Sequence, residues 1–433
     1  MGWIFLAVIF IFLIAQTFSA SSSDSPNEVR LAEAEPVLRG ALTDIHTLGD
    51  KEGGQALKDL ETTVQPYRRT DPVAAEIYVS SQTLLGAKVK PQDLAPMAKS
   101  KESIDRDAYQ IYSRPTLKRA DAESLSSGLD KRGFLGELIR AQALAKAGDR
   151  RELDRLSSKS STALIWAFSF VFLVGAGSLG SWIYLAREWS SGRLRPKGLP
   201  VRLPTLLDAD RLALRAAGLI AMFLLFSLIP DLLGVALHLK VDSRFVELGV
   251  GAAILVGVPL LFRKPVGGRV FRLSDIGVSR QNLARDLRFG LIGFGIEIPV
   301  AVTLAVIGQA LFSSFHHSSH PATVALEMSH DWLTLLSTFV LASIVAPFWE
   351  EIMFRGLLFP ALSKVTGRVL YGGIVSSFLF GAVHPQGFPL WMALMGLACV
   401  SCALSHYTNS MVPSMVMHAA HNTALLVLTI LYS

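Results

Sequence analysis

Apolar residues along this chain fall into two regimes. Between residues 21 and about 160 they are interspersed with charge, whereas from Leu164 onward they gather into long runs separated by polar loops. A straight helix needs about 20 apolar residues to cross the hydrocarbon of a bilayer. The runs at roughly 163–186, 213–237, 246–262, 289–313, 332–359, 371–384, 388–405 and 413–431 therefore predict about eight spans. Some later runs are short, and irregular or re-entrant backbone is tolerated only where it lines a cavity or is shielded by protein. The predicted fold class is all-α: a polytopic transmembrane helical bundle with an N-terminal helical extramembrane domain.

The N-terminal regime reads differently. Glu137 to Lys146 places apolar residues at helical spacing, Ala-Gly-Asp-Arg at 147–150 ends that helix, and Glu152 begins another. This predicts a small helical hairpin domain, and no nucleotide loop, metal cluster or repeat stands out in it. Ahead of it, the apolar stretch from Ile4 to Ala15 followed by Phe18-Ser19-Ala20 reads as a secretory signal. No Lys or Arg precedes that stretch, which makes an uncleaved anchor the alternative. The expected segments are a signal peptide or anchor at 1–20, the helical domain at 21–160, the first spans and a basic loop at 161–245, and the core at 246–433.

Composition agrees with a membrane protein: of 433 residues, 51% are hydrophobic and 18% charged. Two cysteines are too few for a disulfide framework. The formal charge of +6 would suit nucleic acid in a soluble protein, but here the basic residues sit in loops beside the spans. Arg187, Arg193, Arg195, Lys197, Arg202 and Arg211 lie in one loop; Arg263, Lys264, Arg269, Arg272, Arg280, Arg285 and Arg288 lie in another; 314–331 has neither Lys nor Arg. The positive-inside rule puts the first two in the cytoplasm and the third outside, with 21–160 outside as well. The expected partners are the lipid bilayer, a peptide or membrane-protein substrate, and a protein partner recruited through 21–160, with no nucleic acid. The expected location is a bacterial inner membrane.

Chemistry concentrates in three stretches of apolar surroundings. Glu350 and Glu351 diverge by about 100° on a helix, so they divide the labour. Arg355 stands four residues after Glu351, the spacing of a helical ion pair, which leaves Glu350 as the group available for acid–base work. His384 ends an apolar run before Pro385, and Phe380, one turn earlier, is placed to pack on its ring or wall the cavity. His418 and Asn422 share a face of the last span, from which His421 points away. Glu350, His384, His418 and Asn422 together could hold a water, deprotonate it and stabilise the oxyanion of an attacked peptide carbonyl. No Ser or Cys stands in a nucleophile context. His384 falls at the end of one span and His418 near the start of another, so their meeting requires that the spans be offset or broken, as the short 371–384 span allows.

These residues, Glu350-Glu351-x-x-x-Arg355, Phe380-x-x-x-His384 and His418-x-x-x-Asn422, resemble the three ordered motifs of the CPBP family, membrane proteins related to the type II CAAX prenyl endopeptidase and to bacteriocin-processing or immunity proteins. The resemblance covers about residues 270–430, including Asp275-Ile276-Gly277. It implies an intramembrane endopeptidase in which Glu350 activates water. His384, His418 and Asn422 would position it or hold the oxyanion, with Glu351, Arg355 and Phe380 in support. No cofactor is expected. Zinc is the alternative, since Glu350, His384 and His418 could supply three ligands, although the HExxH spacing is absent. The rival functions are a non-catalytic scaffold or bacteriocin-immunity protein of the same fold and, more distantly, a proton-relaying transporter.

Other features read as structural. His316, His317, His320 and His330 fall in an outward polar loop, Cys399 and Cys402 suit helix packing, Trp166 and Trp182 suit interfacial anchoring, and Gly372, Gly373, Gly381 and Gly396 suit close approach of helices.

Overall fold

The computed structural model describes residues 64–193, 209–222, 243–263, 265–266, 269–270, 272–278, 282–312, 331–384 and 388–432, with short pieces at 3–4, 7, 10, 34–35, 37–43, 57–58, 60–61 and 326. The four histidines of the 314–331 loop, most of 1–20 and residues 223–237 of the second expected span lie outside the described residues. The chain divides into two compact units. One comprises Asp24–Val171 with Thr323–Ser329 and Leu428–Ser433; the other comprises Met1–Ser23, Phe172–Ala322 and His330–Val427.

The first unit is built from short helices: α1 (Pro72–Leu84), α2 (Pro91–Lys99), α3 (Ser103–Ser113), α4 (Arg119–Leu125) and α5 (Gly133–Lys146), followed by the beginning of α6 (Arg151–Ser190). Asp71 caps α1 by accepting from the N–H groups of Val73 and Ala74. The turn before α6 runs through Gly148 at φ +88°, a left-handed conformation that glycine adopts without strain. Leu38, Ile77, Met97, Ile111, Leu138 and Ile139 form a fully buried core. Inside it a polar triangle is closed: Ser80 and Tyr112 hydroxyls are 2.7 Å apart, Tyr112 donates to Gln142 Oε1 at 2.5 Å, and Gln142 Nε2 donates to the Ser80 carbonyl at 3.1 Å. The predicted hairpin is thus α5 and α6 of a larger helical array. Its earlier helices, 7 to 13 residues long, are too short and too charged to show a long apolar period.

The second unit holds the rest of α6, then α7 (Ser243–Arg263), α8 (Leu283–Phe312), α9 (Trp332–Thr366), α10 (Val369–Ala382), α11 (Phe388–Thr408) and α12 (Val412–Tyr432). A two-residue antiparallel ladder, Pro265–Val266 with Arg269–Val270, links α7 towards α8. Among the described residues five helices, α6, α8, α9, α11 and α12, are long and apolar enough to cross a membrane, and the protein is an all-α membrane helical bundle. The count of about eight is not confirmed. The apolar part of α7 is confined to Leu248–Leu260, and α10 has 14 residues, about 21 Å at 1.5 Å per residue. α6 runs unbroken for 40 residues, so no linker separates the charged sequence before 160 from the apolar run after it.

α9 is buried all round at its centre, where Ile352, Phe354, Leu357 and Leu358 are at most 1% exposed. By contrast Phe172, Leu173, Leu179 and Ile183 on α6 are more than 60% exposed, as lipid-facing side chains would be. α9 widens into π-helical turns at Leu341–Val345 and Ile352–Leu358, with the Ala346 and Phe359 amides bonding back five residues to Leu341 and Phe354. Each wide turn ends two residues before a proline, Pro347 or Pro360, whose ring would strike the carbonyl four residues earlier in a regular helix. Glycine lets α10 touch its neighbours: a Cβ at Gly372 would stand 2.6 Å from the Ser363 nitrogen, and one at Gly381 would stand 2.7 Å from the Trp391 carbonyl. At Gly373 the space is ordinary, so the expected close approach does not occur there. Phe10 packs edge-on against Phe354, ring centroids 6.1 Å apart.

Candidate active site

Glu350 and Glu351 lie between the two wide turns of α9 and face different partners. Glu351 is completely buried and pairs with Arg355, Oε1 to Nη1 3.1 Å. The same oxygen meets His418 Nδ1 at 3.1 Å, a contact that the spacing of residues did not reveal. Ser401 Oγ adds a third, longer approach to it at 3.5 Å. A carboxylate ionised beside a guanidinium accepts, so His418 carries its proton on Nδ1 and turns Nε2 the other way.

Nε2 of His418 points towards Glu350, 3.8 Å from its Oε2. His384 does the same: its Nε2 is also 3.8 Å from Glu350 Oε2. His384 stands just past the end of α10, with its backbone amide bonded to the Gly381 carbonyl and its Nδ1 2.5 Å from the Phe380 carbonyl. A carbonyl only accepts, so His384 too is protonated on Nδ1, and both imidazoles present Nε2 to one carboxylate oxygen. That oxygen makes no direct hydrogen bond among the described residues. The shortness of α10 brings His384 alongside His418, although one ends its helix and the other begins its own.

Phe380 walls the site as its spacing predicts. Its ring centroid is 4.5 Å from that of His384 and 5.8 Å from that of His418, and the Arg355 guanidinium lies over its face at 4.4 Å. Asn422 is brought to the same region by α12 but is anchored: its amide donates to the Ala342 carbonyl at 2.7 Å, in the first wide turn of α9. A polar pocket of about 540 Å³, lined by Asn282, Arg285, His406 and Ser410, also touches Arg355.

One pair escaped the sequence reading. His421 does point away from Glu350, and its Nδ1 meets Glu297 Oε2 of α8 at 3.0 Å. Glu297 is fully buried and is the sole charged residue of the 289–313 run, a signal that by itself marks a functional or paired position.

Two imidazoles and one carboxylate are a donor set of the kind zinc takes. Their 3.8 Å spacings exceed the edge of about 3.4 Å of a tetrahedral zinc site. Among the described residues no three His, Cys, Asp or Glu side chains stand close enough to hold a metal.

The fold and these contacts define a membrane-embedded helical bundle with a buried carboxylate–imidazole centre. Residues 330–424 match the family described as type II CAAX prenyl endopeptidase Rce1-like, a protease family, in agreement with the motif resemblance. The match takes in all three motifs and leaves out Asp275–Gly277. That segment forms a turn whose Gly277 carbonyl accepts from the Met411 amide at the start of α12. No curated protein and no solved structure matches the chain.

Proposed function

We propose that the protein is an intramembrane endopeptidase that hydrolyses peptide bonds of a membrane-associated protein or peptide with a water activated by Glu350. The observation that carries this reading is the convergence of both Nε2 atoms on Glu350 Oε2 at 3.8 Å. A water oxygen about 2.8 Å from that carboxylate oxygen and from one imidazole nitrogen would subtend an angle of about 85° between them, within reach of water's two hydrogens. Glu350 removes one proton as the water oxygen bonds to the carbonyl carbon. The other imidazole, which takes a proton from solvent on Nε2 before the attack, donates to the resulting oxyanion and returns that proton to solvent when the intermediate collapses. The C–N bond then breaks, the proton held by Glu350 passes to the leaving amine, and a carboxylic acid and an amine are released. Glu351, ionised by Arg355, keeps His418 in the tautomer this requires.

Recognition of a partner by the unit around α1 to α5, its position outside the cytoplasm, and residence in a bacterial inner membrane belong to the same reading. Were a metal to take part, Glu350, His384 and His418 would have to close in from their 3.8 Å spacings to hold it. The test is cleavage of small membrane proteins by the reconstituted chain, comparing wild type, Glu350→Gln and His384→Ala, each with and without a chelator and at matched folding. Loss in both variants with chelator resistance is expected. Chelator sensitivity reversed by zinc moves the chemistry to a metal, and absence of wild-type cleavage turns the reading to a binding or immunity role.

A further inference from the structure

α12 presents three polar side chains within five residues, and each is bound elsewhere. His418 meets Glu351 of α9, Asn422 meets the Ala342 carbonyl of α9, and His421 meets Glu297 of α8. Helical geometry places these three within an arc of about 100°. α12 is therefore tied to α9 on one side of that arc and to α8 on the other.

The α8 end of the tie is itself fixed. Pro299 has no N–H, so the Gly295 carbonyl, four residues earlier, loses its helical partner. Ser178 of α6 replaces it: its hydroxyl donates to that carbonyl at 2.6 Å, and both groups are buried. Gly295 admits this contact because a Cβ there would stand 2.3 Å from Ser181 Oγ. Glu297 sits between Gly295 and Pro299, on backbone that α6 holds. A path of direct contacts thus runs from Ser178 through Gly295, Glu297 and His421 to the turn that bears His418.

We infer that Glu297 and His421 are a positioning pair that sets the rotation of α12 so that His418 faces both Glu350 and Glu351. The inference builds on the proposed role of His418. Ring nitrogens stand about 6 Å from a helix axis, so a rotation of about 20° displaces them by about 2 Å. That is enough to break the 3.1 Å bond to Glu351, and displacements of about 1 Å already cost catalysts on the order of 100-fold. Neither Glu297 nor His421 touches the reacting atoms in this scheme.

The test is carbethoxylation of the resting, full-length protein in lipid nanodiscs, with modification of His418 and of His384 followed separately by mass spectrometry. Glu297→Gln is expected to raise the His418 rate at least fivefold while His384 stays within twofold. The exchanged pair, Glu297→His with His421→Glu, is expected to return His418 to within twofold of wild type. A pair that only pins two helices together would lower the melting temperature and leave the ratio of the two rates unchanged, which would overturn the inference. If Glu297→Gln does not fold, Ser178→Ala keeps every ionisable group and is expected to shift the ratio in the same direction by about twofold; an unchanged ratio overturns the inference equally. The readout needs no substrate. A shifted ratio without any cleavage leaves the positioning pair standing and removes the hydrolytic reading, and cleavage with an unshifted ratio does the reverse.

Discussion

Each unit of this protein holds an arginine beside carboxylates, and the two arginines are used differently. Arg132 in the helical unit is shared among Asp105 at 2.5 Å, Glu102 at 3.1 Å and Glu76 at 3.5 Å, so the charges of that cluster close on one another. Arg355 in the bundle takes Glu351, while the adjacent Glu350 is turned to two imidazoles. A buried carboxylate that shares its cation with others is a structural part. One kept out of the ion pair, next to tunable rings and within a membrane bundle, is available for chemistry. The division depends on two neighbouring glutamates pointing about 100° apart, and on an arginine at the spacing that suits only the second.

The largest effect that would break this contrast is at Glu350. Glu350→Gln removes the base without disturbing an ion pair. It is expected to lower cleavage by about 10²- to 10⁴-fold while melting stays near wild type. Wild-type cleavage by a folded variant would put Glu350 in the same structural class as Glu76. Arg355→Met comes next. It leaves Glu351 buried without its cation and should cost about 3–5 kcal/mol, read as thermal unfolding in nanodiscs. Arg132→Met should cost less, because Glu102 is exposed and part of the cluster can hydrate. Equal losses would erase the distinction drawn between the two arginines.

A third effect concerns pH. Burial pushes the Glu76 carboxyl up to about 8, with Arg132 opposing. A carboxyl whose folded pKa lies above its ordinary 4.5 stabilises the fold fully below that value and loses this contribution as pH rises through about 8. Urea midpoints of the helical unit in the intact chain, followed by limited proteolysis, should therefore fall between pH 5 and 8.5. The dependence should flatten in Glu76→Gln, and a wild-type midpoint that rises over this range would contradict the assignment. The smallest effect is at Phe10, whose loss as Phe10→Ala should remove about 0.5–1.5 kcal/mol of ring packing on Phe354. Intact mass of the purified chain separates the two expectations for residues 1–20: a mass that includes them fits an anchor, and a mass lacking them fits a cleaved signal.

The candidate centre is largely legible in the sequence, because buried ionisable groups in apolar runs are costly enough to stand out one by one. Glu350, Glu351, Arg355, Phe380, His384 and His418 come together as their spacings suggest. What stays hidden depends on contacts between distant segments. The Glu351–His418 bond joins residues 67 apart, and the Glu297–His421 bond joins residues 124 apart. Asn422 shows the same limit: its helical face is readable, but its bond to Ala342 exists because α9 widens there, which no spacing on α12 announces. The span count stays unconfirmed for a different reason. Hydropathy marks which segments are apolar, and a 14-residue helix such as α10, partly shielded by its neighbours, is apolar without being long enough to cross.

The most direct test of the central claim is cleavage of a membrane-protein substrate in ¹⁸O-labelled water, by wild type and by Glu350→Gln at equal folded concentration. The account predicts one ¹⁸O in the new carboxylate made by wild type and almost no product from the variant. Labelled product formed by Glu350→Gln at the wild-type rate would show that another group activates the water, and would contradict the role given to Glu350.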